Sequence, residues 1–241
     1  MEGKITIIGT GRVARHLTKA LTLSGHATDI VNSRTLEALP MHNGLYVIAV
    51  SDTAIESVSR RLGNVDAIVV HTSGATPAEV LSAHRRHGVL YPCQTFTAED
   101  EIEYSDVHFA VEGSDSEVTK RLTEVARLIS DNVHVLDSEQ RTHLHIASVI
   151  CNNFVNHLLT LSHDYMRSHN LPYEMLQPLA LQTVKKAFNI PPAQAQTGPA
   201  ARADMQTIER HLRTITDPRL NDIYRHLTNS ILSQKKTDNH R

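Results

Sequence analysis

The sequence predicts an α/β protein in which a doubly wound parallel sheet is followed by an all-α domain. Up to about residue 137, short β-branched runs alternate with amphipathic segments, which is typical of strands joined by crossover helices. Beyond that residue the β-rich runs stop and every long segment has helical periodicity. We therefore predict one domain over residues 1–137 and a second, helical domain over residues 138–241.

Seven strands are expected in the first domain, and most of the gaps between them have the pattern of helices. The strands are predicted at residues 4–8, 26–32, 45–50, 67–71, 88–91, 107–111 and 133–136. The helices are predicted at residues 11–23, 54–62, 78–87 and 117–130. Pro77 precedes the third of these helices, where a proline in the first turn is tolerated.

The helical domain is divided by prolines and polar residues. Helices are predicted at residues 138–167, 172–188, 202–215 and 218–233. Pro191 and Pro192 follow the second helix and end it, because proline cannot continue a helix. Residues 234–241 form a polar tail that we expect to be frayed.

Composition excludes several classes of protein. The 241 residues carry 24 Lys and Arg against 26 Asp and Glu, so the chain is not a generally basic nucleic-acid binder. Aromatic residues make up 4%, which disfavours base-stacking platforms. No apolar run approaches the roughly 20 residues that span a bilayer. Cys93 and Cys151 are too few for a disulfide scaffold, and the sequence opens without a secretory signal. We expect a cytoplasmic protein that binds a small molecule and neither nucleic acid nor membrane.

The first strand runs directly into a glycine turn and then a helix, which is the context of a dinucleotide-binding Rossmann domain. The segment consists of Gly9, Thr10, Gly11, Arg12, Val13 and Ala14. Gly9 permits the tight turn, Gly11 lets the backbone approach a pyrophosphate, and Ala14 replaces the third glycine. Exposed amides and the positive helix terminus would hold the anion. An ordinary glycine turn is the alternative, but it does not explain the position after the first strand.

The end of the second strand selects the dinucleotide, because a residue there contacts the adenosine ribose or its phosphate. The strand ends in Asn32, Ser33 and Arg34. Asp29 is the competing acidic residue, but at about 3.3 Å per residue it lies roughly 10 Å short of the ribose. The guanidinium of Arg34 suits a phosphate, which favours NADP over NAD. Alternatively, Arg34 is a solvated residue in the first turn of the next helix.

Loops that follow strands at the carboxyl edge of a parallel sheet are the expected ligand sites. Val50, Ser51 and Asp52 follow the third strand and are predicted to face the ribose and nicotinamide, although helix capping also explains Asp52. His71 and Ser73 follow the fourth strand beside the expected nicotinamide position. Turn chemistry explains Ser73 but not His71.

With these motifs in view, the chain resembles the family of Rossmann-like proteins whose helical C-terminal part is domain of unknown function 2520, a family to which NADP oxidoreductase activity is attributed. The resemblance covers nearly the whole chain. It is carried in the first half by GTGRVA, NSR, VSDTAI, HTSGA and YPCQTF. In the second half it is carried by LHIASVICNNFVNHL at residues 144–158 and QTGPAARAD at residues 196–204.

The chain is also distantly similar to pyrroline-5-carboxylate reductase and to the dehydrogenases of β-hydroxy acids and 6-phosphogluconate. This resemblance implies a Rossmann domain followed by a dimerising helical domain, and hence a homodimer. It does not supply a substrate, because function belongs to the site and not to the fold. The β-hydroxy-acid enzymes use a Lys and an Asn one helical turn apart. Here Val149 stands four residues before Asn153, so their lysine chemistry is in doubt for this chain.

The first helix of the second domain carries a polar stripe. His145, Ser148 and Asn152 follow one another at spacings of three and four residues, so an α-helix projects them from one face. Such a face would aim His145 at a substrate beside the nicotinamide, with Asn153 as an alternative to Asn152. A histidine can donate the proton that hydride transfer to a carbonyl or imine requires. The alternative is a histidine on a wetted helix face. His143 and His145 point to different sides, so we expect no metal site.

A glycine-proline break interrupts the helical domain between two helices. Gly198 in this break can expose backbone amides, and Arg202 could bind an anionic substrate group with two hydrogen bonds. The resemblance suggests that this loop helps to close the substrate cleft. The alternative is a plain interhelical turn with a surface pair between Arg202 and Asp204.

The sequence thus predicts an NADP-dependent oxidoreductase that transfers hydride between the nicotinamide and a small polar or anionic substrate in a cleft between the domains. His145, Asn153 and Ser73 are the candidate catalytic residues. Ser148, Asn152, Gly198 and Arg202 are the candidate substrate-binding residues. The rival interpretation is a protein that binds NADP as a sensed ligand or regulator and catalyses nothing; the missing lysine supports it.

Overall fold

A computed structural model of the protein describes residues 4–36, 44–97 and 101–238. All seven expected strands are formed, and they join into one sheet. The strands are β1 (Ile5–Ile8), β2 (Thr28–Val31), β3 (Leu45–Ile48), β4 (Ile68–His71), β5 (Arg86–Cys93), β6 (His108–Gly113) and β7 (Val133–Val135). The predicted class, a Rossmann-like sheet followed by helices, is confirmed.

The sheet has the strand order β2-β1-β3-β4-β5-β6-β7. Strand β1 lies between β2 and β3, and Ile8 is in register with both Val31 and Ile48, so the carboxyl ends of these three strands are level. The chain continues from β1 to β2 on one side and then returns to β3 on the other side of β1, so the strand order reverses at this point. A crevice at such a topological switch point is where open α/β sheets bind ligands.

The sheet is mostly parallel, whereas the sequence predicted an entirely parallel sheet. Strand β6 pairs with β5 in the antiparallel sense, and β7 then runs parallel to β6. A parallel return needs a crossover, usually a helix. The described parts of the connection, residues 94–97 and 101–107, contain a single 3-10 turn at Tyr104–Asp106 and no α-helix. The chain therefore reverses instead of crossing over.

Helices cover both faces of the sheet and form two cores. Helices α1 (Arg12–Leu23) and α3 (Ser116–Ala126) pack on one face, and α2 (Asp52–Leu62) packs on the other. The neighbouring residues Ile7 and Ile8 are both fully buried, one in each core, as expected for a strand covered on both sides. Each buried aliphatic side chain of this kind contributes about 1.5–3 kcal/mol.

The helix expected at residues 78–87 is not formed. A 3-10 turn at Ala78–Leu81 takes its place, and β5 begins at Arg86, which pairs with Ile68 of β4. His84 between them is buried and its Nε2 lies 2.9 Å from the hydroxyl of Ser59. Pairing along the edge of β4 overrides the weak helical periodicity of this segment.

The remainder of the chain is helical. It consists of α4 (Ser138–Ser148), a π-helical segment (Val149–Phe154), α5 (Val155–Ser168), α6 (Gln177–Asn189), α7 (Pro192–Ala195), α8 (Met205–Thr214) and α9 (Pro218–Asp238), with 3-10 turns at Tyr173–Leu176 and Ala200–Arg202. Asp137 and Gln140 start α4 with a capping box. The expected continuous helix over residues 138–167 is wrong, because the π segment divides it.

Two compact units divide the chain, residues 1–154 and residues 155–241. All seven strands precede Asp137, and α4 and the π segment belong to the first unit, so the units divide 17 residues after the boundary proposed between residues 137 and 138. The functional assignment of the two domains stays a prediction. Within the described ranges, none of the helices combines the length and the apolar character needed to cross a membrane.

Candidate functional site

A cavity of about 630 Å³ opens at the switch point of the sheet. Three segments at the carboxyl ends of β1, β2 and β3, together with one face of α2, line it. The lining residues are Gly9, Thr10, Gly11, Arg12, Val13, Asn32, Ser33, Arg34, Ala49, Val50, Ser51, Ala54, Ser57, Val58 and Arg61. Ten of the twelve residues expected to bind a cofactor are among them; Asp52 and His71 are not.

The two glycines of the first turn have different reasons to be glycine. Gly9 has φ +141°, and a Cβ there would collide with the carbonyl oxygen of Ala49, so packing inside the protein requires it. Gly11 has an ordinary φ of −74°, and a Cβ there would meet nothing within 4 Å. No contact with the described residues explains Gly11, which has open space beside its backbone. A ligand that approaches the main chain closely would use that space.

The first turn of α1 is suited to an anion. Gly11 occupies the N-cap position without a side-chain cap, and no acidic residue lies in the first turn. Within the part of the chain that the structure describes, the first amides of the helix and the positive end of its dipole therefore face the cavity without a carboxylate from this turn. Ala14 is fully buried under this turn, in the place predicted for a small residue at the contact of helix and sheet.

The cavity is positively charged. Arg12, Arg34 and Arg61 line it, and none of the Asp or Glu residues that the structure describes does. Among the described residues, none of the three arginines lies within ion-pair distance of a carboxylate. Arg12 is held through a hydrogen bond of 3.4 Å from its guanidinium to the carbonyl of Phe96. Such unpaired guanidinium groups suit phosphate oxygens.

The loop after β2 is ordered by its own polar groups. The side-chain oxygen of Asn32 accepts a hydrogen bond of 3.0 Å from the backbone N–H of Arg34. Arg61, at the end of α2, donates to the carbonyls of Ser33 at 2.8 Å and Arg34 at 3.1 Å. Asp29 lies elsewhere in an ion pair of 2.6 Å with Lys4, which accords with its exclusion from the ribose site.

Sequence reasoning missed the wall that α2 contributes. Ala54, Ser57, Val58 and Arg61 all line the cavity. Their spacing of i, i+3, i+4 and i+7 defines one face of a helix. Because α2 begins directly after the loop of Val50 and Ser51, that periodicity is the signal that could have identified Arg61.

A second cluster lies within the first unit around His145. Its Nδ1 is 3.3 Å from the hydroxyl of Tyr91, and the two rings meet edge to face. A Cβ on Gly74 would lie 2.5 Å from the same Nδ1, so the loop after β4 packs directly against the imidazole. Cys93 Sγ is 3.3 Å from the hydroxyl of Ser148. The structure thus gathers His145 and Ser148 with the ends of β4 and β5.

Tyr91 is a phenol that keeps its proton. Burial, followed by the influence of Cys93, raises the pKa of Tyr91 from 10.0 to about 12. The hydroxyl of Tyr91 shares a hydrogen bond with Nδ1 of His145, and the tautomer of the imidazole decides which of the two donates.

His71 and Ser73 organise the loop after β4 from inside. His71 is fully buried; its Nδ1 accepts from the N–H of Ser73 at 3.1 Å, and its Nε2 lies 3.3 Å from the carbonyl of Pro77. Burial lowers the pKa of His71 to about 4, so it is neutral at physiological pH. The hydroxyl of Ser73 accepts from the N–H groups of Ala75 and Thr76. Neither residue lines the cavity.

Asp52 is linked both to the cavity and to the second cluster, around His145. It follows Ser51 of the cavity wall and forms the first turn of α2. Burial is the main cause of the shifted pKa of both His71 and Tyr91, and the charge of Asp52 adds a smaller upward contribution to each, which in His71 opposes the lowering by burial. Asp52 is therefore an electrostatic neighbour of the second cluster and not a wall of the cavity.

A buried guanidinium fixes the start of α4. Arg141 is 1% exposed and pairs with the carboxylate of Glu112 on β6. It also donates to the carbonyl of Thr76 at 2.6 Å and to the hydroxyl of Ser138 at 3.2 Å. Arg141 stands one helical turn before His145, so this network sets the position of the imidazole.

The π segment changes the predicted stripe on the helix. Ser148 ends α4, and Asn152 and Asn153 both lie in the π segment, exposed and 3.4 Å apart from Nδ2 to Oδ1. A π turn holds one more residue than an α turn. Asn153 therefore takes the face that Asn152 would occupy in an uninterrupted helix, beyond His145 and Ser148. The predicted alignment of Asn152 with His145 is wrong for this reason.

Gly198 and Arg202 belong to the second unit. Gly198 has φ +98° and open space around its Cα. The surface pair considered for Arg202 and Asp204 is not an ion pair of the structure; the carboxylate of Asp204 instead caps α8 by accepting from the N–H of Thr207 at 3.0 Å. A substrate contact for either Gly198 or Arg202 stays a prediction. Over the described ranges, no three His, Cys, Asp or Glu side chains form a metal-binding group.

Comparisons with known proteins support the predicted family. Residues 107–231 match the family described as "Domain of unknown function (DUF2520)". The "putative NADP oxidoreductase BF3122" from Bacteroides fragilis is 31% identical over 96% of this chain and 98% of that chain, with a TM-score of 0.89. No curated protein matches the sequence.

Two more distant structures share the fold. A reductive aminase from Aspergillus terreus, in complex with NADPH and ethyl levulinate, is 16% identical over 97% of this chain and 95% of that chain, with a TM-score of 0.66. A pyrroline carboxylate reductase from Plasmodium falciparum, with NADP bound, is 12% identical over 96% of this chain and 98% of that chain, with a TM-score of 0.61. The family match over more than half of the chain and the Bacteroides relative establish the membership: the chain belongs to the DUF2520 family.

Proposed function

We propose that the protein is an NADP(H)-dependent oxidoreductase that transfers hydride between the coenzyme and a small polar or anionic substrate. The observation that carries this proposal is the cavity at the switch point of the sheet, which three arginines and an uncapped helix terminus line, with no carboxylate among the described lining residues. A dinucleotide phosphate is the ligand whose charge and length suit this lining.

The coenzyme-binding residues have separate tasks. The amides of the first turn of α1, beside Gly11, bind the pyrophosphate. Ser33 and Arg34 lie after β2, where the adenosine ribose is read, and bind its 2′-phosphate. Val50 and Ser51 line the same cavity farther along the sheet edge, toward β4. The predicted coenzyme agrees with NADPH and NADP in the two neighbouring structures.

NADPH supplies the hydride when it is bound; this chain must supply the proton. We assign the donor to His145: Tyr91 engages Nδ1, so the protonated imidazole would give its Nε2 proton to the substrate and become neutral. A positioned general acid of this kind contributes about 10²–10⁴-fold to rate. Ser73 retains a hydroxyl hydrogen that can bind the substrate, since its oxygen only accepts from the loop. Asn153, on the face beyond His145, is the third proposed contact.

The proposed substrate class rests on a histidine as the acid and on the neighbouring structures. The relatives with this fold include a reductive aminase and a pyrroline carboxylate reductase, so we propose imines and carbonyl compounds with a polar or anionic group. Ser148, Asn152, Gly198 and Arg202 are the proposed substrate contacts.

The test measures coenzyme binding and turnover separately. Calorimetry with NADPH and NADH is expected to show tighter binding of NADPH. A panel of imines, keto acids and aldehydes is then screened for loss of NADPH absorbance. Saturable turnover that requires His145 supports the oxidoreductase. Absence of heat with both coenzymes would falsify it.

Binding without catalysis is the second candidate. Val149 stands where β-hydroxy-acid dehydrogenases carry their lysine, which is the observation that favours a sensor. Tight NADPH binding with no turnover across the panel would support this candidate over the enzyme.

We also propose that the protein forms a homodimer through the helical second unit. Large apolar side chains are exposed there to an unusual degree, among them Met175 at 67%, Leu179 at 65% and Phe188 at 86%. Surfaces of this kind are covered in stable assemblies. Sedimentation velocity should give the mass of a dimer, and Phe188→Glu should shift it to the monomer.

A further inference from the structure

We propose that Arg61, at the end of α2, is a specificity-determining residue that makes the cavity prefer a 2′-phosphorylated coenzyme. The inference rests on the proposed function and goes beyond it, because it assigns the preference for NADP(H) over NAD(H) to a helix that follows the third strand and not only to the residues after the second. The ligand group concerned is a phosphate monoester on the adenosine ribose.

The geometry places Arg61 between the loop after β2 and the cavity. Its guanidinium donates to the carbonyl of Ser33 at 2.8 Å and to the carbonyl of Arg34 at 3.1 Å, from two different nitrogens. The same side chain lines the cavity. A guanidinium carries five N–H donors, and these two bonds engage two of them. The remaining donors have no hydrogen-bond partner among the described residues and can reach a ligand in the cavity.

The two carbonyls explain why a cation is needed at this point. An oxygen of a phosphate monoester repels the carbonyl oxygens of Ser33 and Arg34, because all of them carry negative partial charge. Arg61 neutralises both carbonyls and holds the backbone that presents the side chains of Ser33 and Arg34. A guanidinium suits this role better than an ammonium, since it bridges two acceptors in one plane.

Arg60 shows that the position in α2 does not by itself explain these contacts. Arg60 and Arg61 both lie in the last turn, where a cation favours the negative end of the helix dipole. Arg60 forms a surface pair of 3.7 Å with Glu56 on its own helix and does not line the cavity. Arg61 reaches a different element, 27 and 28 residues earlier in the chain. The contrast assigns Arg61 to the site and makes Arg60 a matched control.

The experiment compares Arg61→Met with Arg60→Met in the full-length protein. Dissociation constants for NADPH, NADH and 2′,5′-ADP are measured by calorimetry, and folding is checked by circular dichroism. Arg61→Met is expected to raise the dissociation constants of NADPH and 2′,5′-ADP by about tenfold or more, which is the effect of losing a hydrogen bond to a charged group. The dissociation constant of NADH should rise by less than about threefold, because NADH lacks the phosphate. Arg60→Met should change none of the three constants.

Arg61→Lys provides a second variant that keeps the charge and most of the side-chain length. Arg61→Lys is expected to weaken the binding of NADPH less than Arg61→Met does, because the charge is kept. It should still weaken the binding of NADPH more than that of NADH, since lysine cannot bridge both carbonyls in one plane.

The outcomes separate this inference from the proposed function. If the wild-type protein binds NADPH and both Arg61 variants bind it equally well, the inference is overturned and the proposed function stands. It is also overturned if NADPH and NADH weaken by the same factor, because Arg61 would then only support the loop. If the wild-type protein binds neither coenzyme, the proposed function itself fails.

Discussion

The hydroxyl of Tyr91 lies 3.3 Å from Nδ1 of His145, which joins the end of β5 to helix α4 inside the first unit. Burial raises the pKa of the phenol to about 12, so Tyr91 keeps its proton throughout the neutral range. The contact occupies Nδ1 of the imidazole and leaves Nε2 as the ring nitrogen that it does not use. It turns a helical histidine, one of sixteen in the chain, into a specific candidate for the general acid.

Replacing His145 should therefore remove catalysis and leave coenzyme binding intact. His145→Asn is expected to lower the turnover number by about 100-fold or more, as for loss of a general acid. The dissociation constant of NADPH should stay within about threefold of the wild-type value. His143→Asn is the control, since His143 is exposed and meets only Glu139 at 3.8 Å on the same helix. Equal losses in the two variants would contradict the role of His145.

The glycines of the first turn should separate folding from binding. Gly9→Ala is expected to lower the melting temperature, because its Cβ collides with the carbonyl of Ala49 at a positive φ. Gly11→Asp should leave the melting temperature nearly unchanged, since the space beside Gly11 is open. It should nevertheless weaken NADPH by about 100-fold, because a carboxylate then repels the pyrophosphate. A Gly11→Asp protein that still binds NADPH as tightly as the wild type would rule out the pyrophosphate site.

The sequence was sufficient to predict all seven strands and the glycine turn, because both depend on patterns within a few residues. The reversal between β5 and β6 was not predictable in this way, since it depends on how a connection without an α-helix in its described parts can return to the sheet. The helical periodicity of α2 was enough to identify Arg61 as a residue facing the cavity. The burial of Arg141 could not be predicted in this way, because it is compensated by Glu112, which lies 29 residues earlier on another element.

His71 should make the protein less stable below neutral pH. Burial lowers its pKa from 6.5 to about 4, so the unfolded chain binds a proton between these values and the folded protein does not. The free energy of unfolding therefore rises with pH across this window, by up to about 3 kcal/mol for His71 alone. This contribution of His71 is lost as the pH falls from 6.5 toward 4. Urea unfolding at pH 7.5 and pH 4.5 measures the change, in the wild type and in His71→Gln. The variant should show a smaller pH dependence, and an equal dependence would assign the effect to other groups such as His84.

Gly74 should tolerate no side chain. A Cβ there would lie 2.5 Å from Nδ1 of His145 and 2.9 Å from the ring of Tyr91. Gly74→Ala is expected to cost about 1–3 kcal/mol of stability through overpacking, and to lower turnover because it displaces the imidazole. Thermal unfolding and NADPH oxidation measure the two effects. Coenzyme affinity is the internal control, since Gly74 does not line the cavity; if turnover is unchanged in a folded Gly74→Ala protein, the imidazole is not held by this loop.

The pair of Arg141 and Glu112 should be indispensable for the second cluster. Arg141 is almost completely buried, and one of its nitrogens, Nε, has no hydrogen-bond partner among the described residues, so its charge depends on the carboxylate. Removing one partner of a buried pair leaves the other charge uncompensated, which costs about 3–5 kcal/mol. Glu112→Gln and Arg141→Met should each lower the free energy of unfolding by this order. The double variant is expected to lose less free energy of unfolding than the sum of the two single variants, because no isolated charge remains buried.

Arg86→Met is the control. It breaks the exposed pair of Arg86 with Asp66 at 3.1 Å and should cost about 1 kcal/mol or less. Additive losses in the double variant, measured by urea unfolding, would show that the two residues act independently and that the network does not position α4.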